Sequence, residues 1–539
     1  MSFSVHQNSY ENLPYIAERD RAFIQNDARL LPFRRYAANW SGFEAALAAQ
    51  KNADNTNRAV LVLALRQQYK NIQTTVPQQV SDSIAALSES NTFTVTTAHQ
   101  SNLFLGPLYF VYKILSAIKL AQAANARYPQ HRFVPVYWCG SEDHDHAELN
   151  HTYIFNRKME WQTPHEGAFG RLSTASLQPL VEELRQAIGA EGVAAKALGE
   201  ILAAAYNGER TIADATAFFI NALFGQYGLV VINQDDTALK QLFVPYLEAE
   251  LTLRKAEKLV QNDITALQAV GFAPQATPRN INIFYLTATG RNRIVFEDDI
   301  YTVLNTDLRF TPEAMIAELH QNPQNFSPNV VLRPVYQEVI LPNVAYVGGG
   351  GEMAYWQERG SLFDALGVAF PLLVRRQSAL ILPLAIQKRI AKTGFEVADF
   401  WNDYDALARK YMSANSENDT SLTEEKAAIN AVFERLLAKI QQIDSALDKA
   451  ASAEQTKIIN SLESLSAKLL RAEKRKHEVA LQQIQNIKER LFPERGLQER
   501  YDSFIPYYAA HGAPFFDAIL ENIEPFFSDF LTFREESLA

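Results

Sequence analysis

A chain of 539 residues, 47% hydrophobic and 21% charged, can bury a large core and is expected to divide it between two or three domains, which excludes a disordered or low-complexity protein. The formal net charge of −10 argues against a molecule that binds nucleic acid or an anionic membrane with its whole surface, because phosphate binding needs clustered Lys and Arg. A single cysteine, Cys139, excludes an internal disulfide and a cysteine-based metal centre.

The opening MSFSVHQNSYENLPYIAERD has no basic segment followed by an apolar one, and AVLVLAL (59–65) is too short to span a bilayer. The expectation is a cytoplasmic protein with neither a membrane nor a nucleic-acid partner. From about 90 to 390, short β-branched and aromatic runs alternate with helical patterns, the arrangement of βαβ units around a mostly parallel sheet. The expected strands are FTVTT (93–97), FVPVYW (133–138), LVVIN (229–233), NIFYLT (282–287), VAYVG (344–348) and PLLVR (371–375). Leu108, Val111, Tyr112, Leu115 and Ile118 predict a crossover helix between the first two. The stretch 180–270 reads as largely helical, and helical insertion(s) in the core are placed around 150–330.

After Gly394 no Gly or Pro appears until Pro493, which predicts long helices. Ile429, Phe433, Leu436, Ile440, Ile443 and Leu447 step by four and three, as do Ile458, Leu462, Leu465, Leu469 and Ala472. With the chain turning back at DKAASAEQ (448–455), this is either an ordinary bundle on the core or a projecting antiparallel hairpin. A projecting seam calls for a second copy, hence a homodimer. The aromatic tail beginning PYYAAHGAPFF is expected to return to the core. The expected domains are an α/β core over 1–394, a helical coiled coil over 395–500 and a segment over 501–539 that packs back on the core.

Ligands of open parallel sheets sit beyond the carboxyl ends of the strands, and three such ends are rich in polar groups. In TAHQSN (97–102), Thr97, His99, Gln100 and Asn102 stand before a helix whose first N–H groups favour an anion; the plainer reading is a helix cap and one buried histidine. In GSEDHDHAELNH (140–151), Glu142, Asp143, His144, Asp145 and His146 suit acid–base work, substrate binding, a divalent metal or simple loop packing, and no HExxH spacing favours the metal. In PNVAYVGGGGEMAYW (342–356), four glycines before a helix allow positive φ and close ligand approach, while Glu352 suits the helix dipole or an amine. This is neither GxxxxGK[ST] nor GxGxxG. Arg333, Arg375 and Arg376 fall near strand ends, where guanidinium groups suit carboxylates or phosphates unless they are surface arginines. Cys139 reads as a buried small hydrophobe, no GxSxG elbow exists, and KRKHE (474–478) reads as a solvated face.

TAHQSNLFLGPLYFVYKILSAIKLA, VPVYWCGSEDHDHAELNH and LRPVYQEVILPNVAYVGGGGEMAYW, in that order and with a coiled-coil-like stretch after them, closely resemble the bacillithiol-biosynthesis cysteine-adding enzymes over essentially the whole chain. His99 before Gln100 resembles the Bacteroidetes-type branch. The resemblance implies a Rossmann-like core akin to class I aminoacyl-tRNA synthetase catalytic domains, with connecting-peptide-like insertions and a coiled coil that pairs subunits. It also implies a ligase joining the carboxyl of cysteine to the amine of glucosaminyl-malate. TAHQ then occupies the place of the synthetases' HIGH signature with Ala98 where glycine is usual, and VRRQS (374–378) falls near the second signature without its lysines.

On this reading the catalytic residues are His99, Gln100, Asp143, His144 and Asp145. Substrate binding falls to Thr97, Asn102, Glu142, Arg333, Asn343, Tyr346, Gly348, Gly349, Gly350, Gly351, Glu352 and Arg376, with no metal ligand. A free carboxylate does not form an amide efficiently, so an acyl-adenylate or acyl-phosphate is expected; the cofactor stays open, with ATP or another nucleotide as candidates. Alternative readings are a metal-dependent hydrolase built on EDHD, a nucleotidyltransferase on the same scaffold, and a non-catalytic coiled-coil scaffold.

Overall fold

A computed structural model describes residues 3–163, 167–189, 191–415, 421–527 and 529–536. The chain forms two compact units, Met1–Ile381 together with Gly496–Ala539, and Leu382–Arg495.

The first unit is built on a parallel sheet whose strands lie in the order Leu372–Arg375, Asn343–Gly348, Thr92–Gln100, Arg132–Gly140 and Val230–Asn233. Parallel strands need crossovers, and the helix Tyr109–Arg127 supplies the one between the two central strands. In the register, His99 lies beside Cys139, Gln100 beside Gly140, and Thr97 beside Val347. Covered on both faces, the sheet must satisfy its buried hydroxyls internally. Thr94 and Thr96 donate to Asn343 Oδ1 at 3.1 and 2.8 Å, and Thr97 donates to the Val347 carbonyl at 2.8 Å.

NIFYLT is a strand, Ile283–Leu286, but belongs to a separate antiparallel sheet with Arg291–Glu297, Ile300–Val303, Arg309–Phe310 and Phe326–Pro328. The expected insertion is therefore not wholly helical. Its hairpin turns on Asp298 and Asp299, both at positive φ (50° and 58°), the two-residue turn whose twist matches antiparallel strands. Ile283, Ile294 and Val303 of this sheet share one hydrophobic cluster with Val134, Val136 and Trp138 of the parallel sheet. Five helices from Gln178–Ile188 to Ala256–Ala269 cover 178–269, interrupted by the edge strand Val230–Asn233. The C-terminal strand Asp529–Glu535 pairs antiparallel with Phe3–Ser9, and Phe504, Phe515 and Phe516 enter a second cluster with Tyr137 and Phe219.

The second unit contains the helices Leu384–Thr393, Tyr404–Asn415, Thr423–Ile443, Asp448–Lys476 and Glu478–Leu491. The reversal comes at 444–447, earlier than expected, where Asp444 accepts from the Ala446 N–H at 2.9 Å. DKAASAEQ instead forms the first turns of the 29-residue helix, because its alanines and charged residues favour helix. On this hairpin Phe433 and Ala451 are buried, while Leu436, Ile443, Leu447, Ile458, Leu465 and Leu469 are exposed. Among the described residues no helix is long and apolar enough to cross a membrane.

Candidate active site

At the carboxyl edge of the parallel sheet lies a cavity of roughly 620 Å³, closed on another side by the antiparallel sheet. His99, Gln100, Asp143, Gly349, Gly351, Glu352, Arg333 and Arg376 all line it. Three separate polar segments thus meet because parallel strands deliver their ends to one edge.

His99 ends the central strand, with its Nε2 2.9 Å from the Tyr109 hydroxyl. Burial, then the nearby Lys113 ammonium, pushes its pKa down to about 3, so the ring is neutral at physiological pH. The helix expected directly after TAHQSN is displaced by a buried turn at 103–105, with Phe104, Leu105 and Gly106 at positive φ, and starts only at Tyr109. It is the Tyr109 side chain, rather than the helix terminus, that reaches His99. Gln100 Nε2 donates to Asp143 Oδ2 at 3.1 Å, and Asp143 Oδ1 accepts from the His144 N–H at 2.8 Å. Burial would raise the Asp143 pKa, but Arg291, 4.0 Å away, and these hydrogen bonds outweigh it and hold the carboxyl below its usual range.

Glu352 occupies the first turn of the helix Gly350–Trp356. It accepts from the Gly349 N–H at 2.8 Å and from Tyr346 Oη at 2.5 Å, and pairs with Lys113 Nζ at 2.8 Å. Burial opposes its ionisation, yet the Lys113 charge and these donors bring its pKa down to about 2. With its oxygens so engaged, Glu352 shapes the loop. None of Gly348 to Gly351 has positive φ; the glycines serve close approach instead. A Cβ on Gly350 would lie 2.2 Å from Asp20 Cγ and one on Gly348 2.9 Å from Met353 Cε, whereas one on Gly351 would meet nothing within 4 Å.

The remaining candidates lie outside the cavity lining. Glu142 turns inward to the buried Lys240 and accepts from Gln234 at 2.8 Å and Ser327 at 3.0 Å. Asp145 caps the turn 146–149 by accepting from the Glu148 N–H at 3.1 Å, and His144 packs on the Phe284 ring. These three side chains therefore diverge from Asp143, and among the described residues no three His, Cys, Asp or Glu converge as metal ligands. Thr97 and Asn343 are spent in the sheet bonds above, Asn102 is buried against Gly106, and Tyr346, Gly348 and Gly350 are buried. Arg333 opens the helix Arg333–Ile340 instead of ending a strand, and its guanidinium donates to Tyr355 Oη at 3.0 Å and Gln337 Oε1 at 3.1 Å. Cys139 is buried with its thiol pushed up to about 12, chiefly by burial.

Sequence reasoning passed over Tyr109, Lys113 and Arg291. Lys113 had a local signal, a lone cation among Val111, Tyr112, Ile114 and Leu115 on a buried helix. Arg291 had none, since its role depends on the packing of one sheet against another.

Residues 10–377 match the model of the bacillithiol biosynthesis BshC N-terminal Rossmann-like domain, and residues 379–534 that of the BshC C-terminal coiled-coil domain. The chain belongs to the BshC family. A relative from Flavobacterium johnsoniae, described as "Putative cysteine ligase BshC", is 36% identical over 518 residues, covering 96% of this chain and 97% of its own. BshC relatives with the same description are 34% identical over 535 residues in Christiangramia forsetii, covering 98% and 99%, and 28% identical over 456 residues in Bacillus mycoides, covering 81% and 84%. A solved structure described as a putative arginyl-tRNA synthetase from Campylobacter jejuni shares 11% identity over 87% of this chain and 91% of its own at a TM-score of 0.23, too remote to carry an argument.

The segment matched by the Rossmann-like domain ends within VRRQS, and both arginines there are locked. Arg375 makes a two-point ion pair with Asp20 at 2.9 and 3.0 Å. Arg376 pairs with Glu499 at 2.7 Å and lies over the Tyr109 ring. Of the two, Arg376 lines the cavity, and its pairing with Glu499 makes that edge rigid.

Proposed function

We propose that this protein joins the carboxyl of cysteine to the amine of glucosaminyl-malate, the step that completes bacillithiol. The observation that carries the reading is the meeting of His99, Gln100, Asp143, Gly349, Gly351 and Glu352 in one cavity of a chain matched along nearly its whole length by the family. Neutral His99 and Tyr109 hold the activated acyl group of cysteine through hydrogen bonds. The ionised Asp143, oriented by Gln100, draws in and aims the acceptor's amino group. With its pKa held down, Asp143 is a weak base. The amine nitrogen therefore attacks the acyl carbon as the bond to the leaving oxygen breaks, and the proton departs with that leaving group or to water. Arg333 adds positive charge to the cavity that receives the sugar-malate.

The test is thiol profiling of cells lacking this protein, which should lose bacillithiol and accumulate glucosaminyl-malate. An unchanged profile overturns the reading. In a reconstituted reaction, wild-type turnover by both His99→Ala and Asp143→Ala would remove these two residues from it.

A second copy of the chain covers the exposed seam of Leu436, Ile443, Ile458, Leu465 and Leu469 in this proposal, giving a homodimer. Light scattering at micromolar concentration should return twice the chain mass. The proposed location is the cytoplasm, to be checked by cell fractionation.

A further inference from the structure

Arg279, Arg291 and Arg293 reach the cavity from a stretch to which sequence reasoning gave no chemistry. Arg291 and Arg293 stand two residues apart on the strand Arg291–Glu297 and so share a face of the antiparallel sheet. Arg291 is fixed on three sides. Its Nε donates to Ser327 Oγ at 3.0 Å, its Nη2 donates to the Pro328 carbonyl at 2.9 Å, and its guanidinium lies 4.2 Å over the Phe284 ring. The Arg279 backbone is fixed too: its N–H donates to Asn282 Oδ1 at 3.0 Å and its carbonyl accepts from Asn282 Nδ2 at 2.7 Å. Asn282 in turn donates through both nitrogens to the buried Glu250, at 2.9 and 2.7 Å.

The charges around the cavity do not balance. Glu352 is paired with Lys113, and among the described residues Asp143 meets one arginine or lysine within 4.0 Å, Arg291. Among the described residues no carboxylate pairs with the guanidinium groups of Arg279, Arg293 or Arg333. Cations gathered in a recess repel one another unless an anion joins them, and guanidinium forks match oxygen pairs.

We propose that Arg279, Arg291 and Arg293 form an anion subsite that takes a doubly negative ligand group, the chemistry shared by a four-carbon dicarboxylate and a phosphate. Identifying the dicarboxylate as the malyl end of the acceptor rests on the amide-forming reading; anion binding itself does not. The subsite makes the antiparallel sheet the specificity wall of the cavity, facing the reacting groups carried by the parallel sheet.

Calorimetric titration of the full-length protein with malate and, separately, with inorganic phosphate tests this. Arg279 and Arg293 are exposed, so the double variant Arg279→Ala/Arg293→Ala keeps the fold, which its melting temperature verifies. The expected result is malate binding weakened at least about tenfold in the double variant, and weakened by added salt in the wild type. A loss confined to phosphate supports the subsite and assigns it to a phosphoryl group. Equal binding of both anions by wild type and variant, or binding of neither by wild type, overturns the proposal. Unchanged thiols in the deletion strain would sink the amide-forming reading while leaving this titration valid.

Discussion

Lys113 and Glu352 meet at 2.8 Å beneath the cavity, tying the helix after the central strand to the helix after the glycine run. Lys113 also donates to the Ala98 carbonyl, next to His99, while Glu352 holds the Gly349 N–H. One buried pair thus sets the spacing of two ligand-facing loops.

Removing one member of a buried pair leaves the other uncompensated, at a cost of about 3–5 kcal/mol. Glu352→Gln strands Lys113, which is 2% exposed, and should lower stability by about 3 kcal/mol. Lys113→Met should cost less, because Glu352 keeps the Gly349 and Tyr346 donors and is 22% exposed. The double variant should be more stable than the sum of the single losses implies. Urea unfolding of the four proteins measures this, and strict additivity would deny the coupling.

His99 titrates near 3 in the folded protein against 6.5 in the unfolded chain. Between those values the unfolded state binds the extra proton, so stability is full above pH 6.5 and declines as the pH falls towards 3. Over pH 6.5 to 4.5, where Glu352 at about 2 stays ionised, His99→Asn should lose less melting temperature than wild type. Parallel acid limbs in the two proteins would count against a buried neutral ring.

Neighbours in EDHD should respond in opposite ways. Glu142→Gln breaks the buried contact with Lys240 and should cost about 2 kcal/mol, less than a fully stranded charge because Lys240 keeps Asp235 at 2.9 Å. Asp143→Asn should leave stability within about 1 kcal/mol and cut turnover about 100-fold. Denaturation midpoints and rates compared side by side decide it; a catalytic loss for Glu142→Gln larger than that for Asp143→Asn would reverse the assignment.

The glycines divide in the same manner. Gly350→Ala drives a methyl into Asp20, which is held by Arg375, and should destabilise by about 3 kcal/mol. Gly351→Ala meets nothing within 4 Å and should change stability by no more than about 0.5 kcal/mol. Because Gly351 lines the cavity, its methyl should raise KM for the acceptor. Melting curves and steady-state kinetics separate the two effects.

Short β-branched and aromatic runs and a crossover helix were enough to place the parallel strands at FTVTT, FVPVYW and VAYVG, and with them the edge where His99, Asp143 and Gly349 meet. Local pattern determines strand and helix faces, since those depend only on neighbouring residues. It does not determine which residue of a polar segment looks into a cavity. Glu142 and Asp143 are adjacent and chemically alike, and only the packing of Lys240 and Gln234 against one and Gln100 against the other separates them. The glycine run likewise reads as conformational freedom until Asp20 is seen against Gly350. The arginine wall depends on a second sheet folding over the first, a contact between residues more than a hundred positions apart. The sequence by itself determined the edge that carries the site; the tertiary structure decided which side chains occupy it, because charge pairing and close approach are settled by partners distant in the chain.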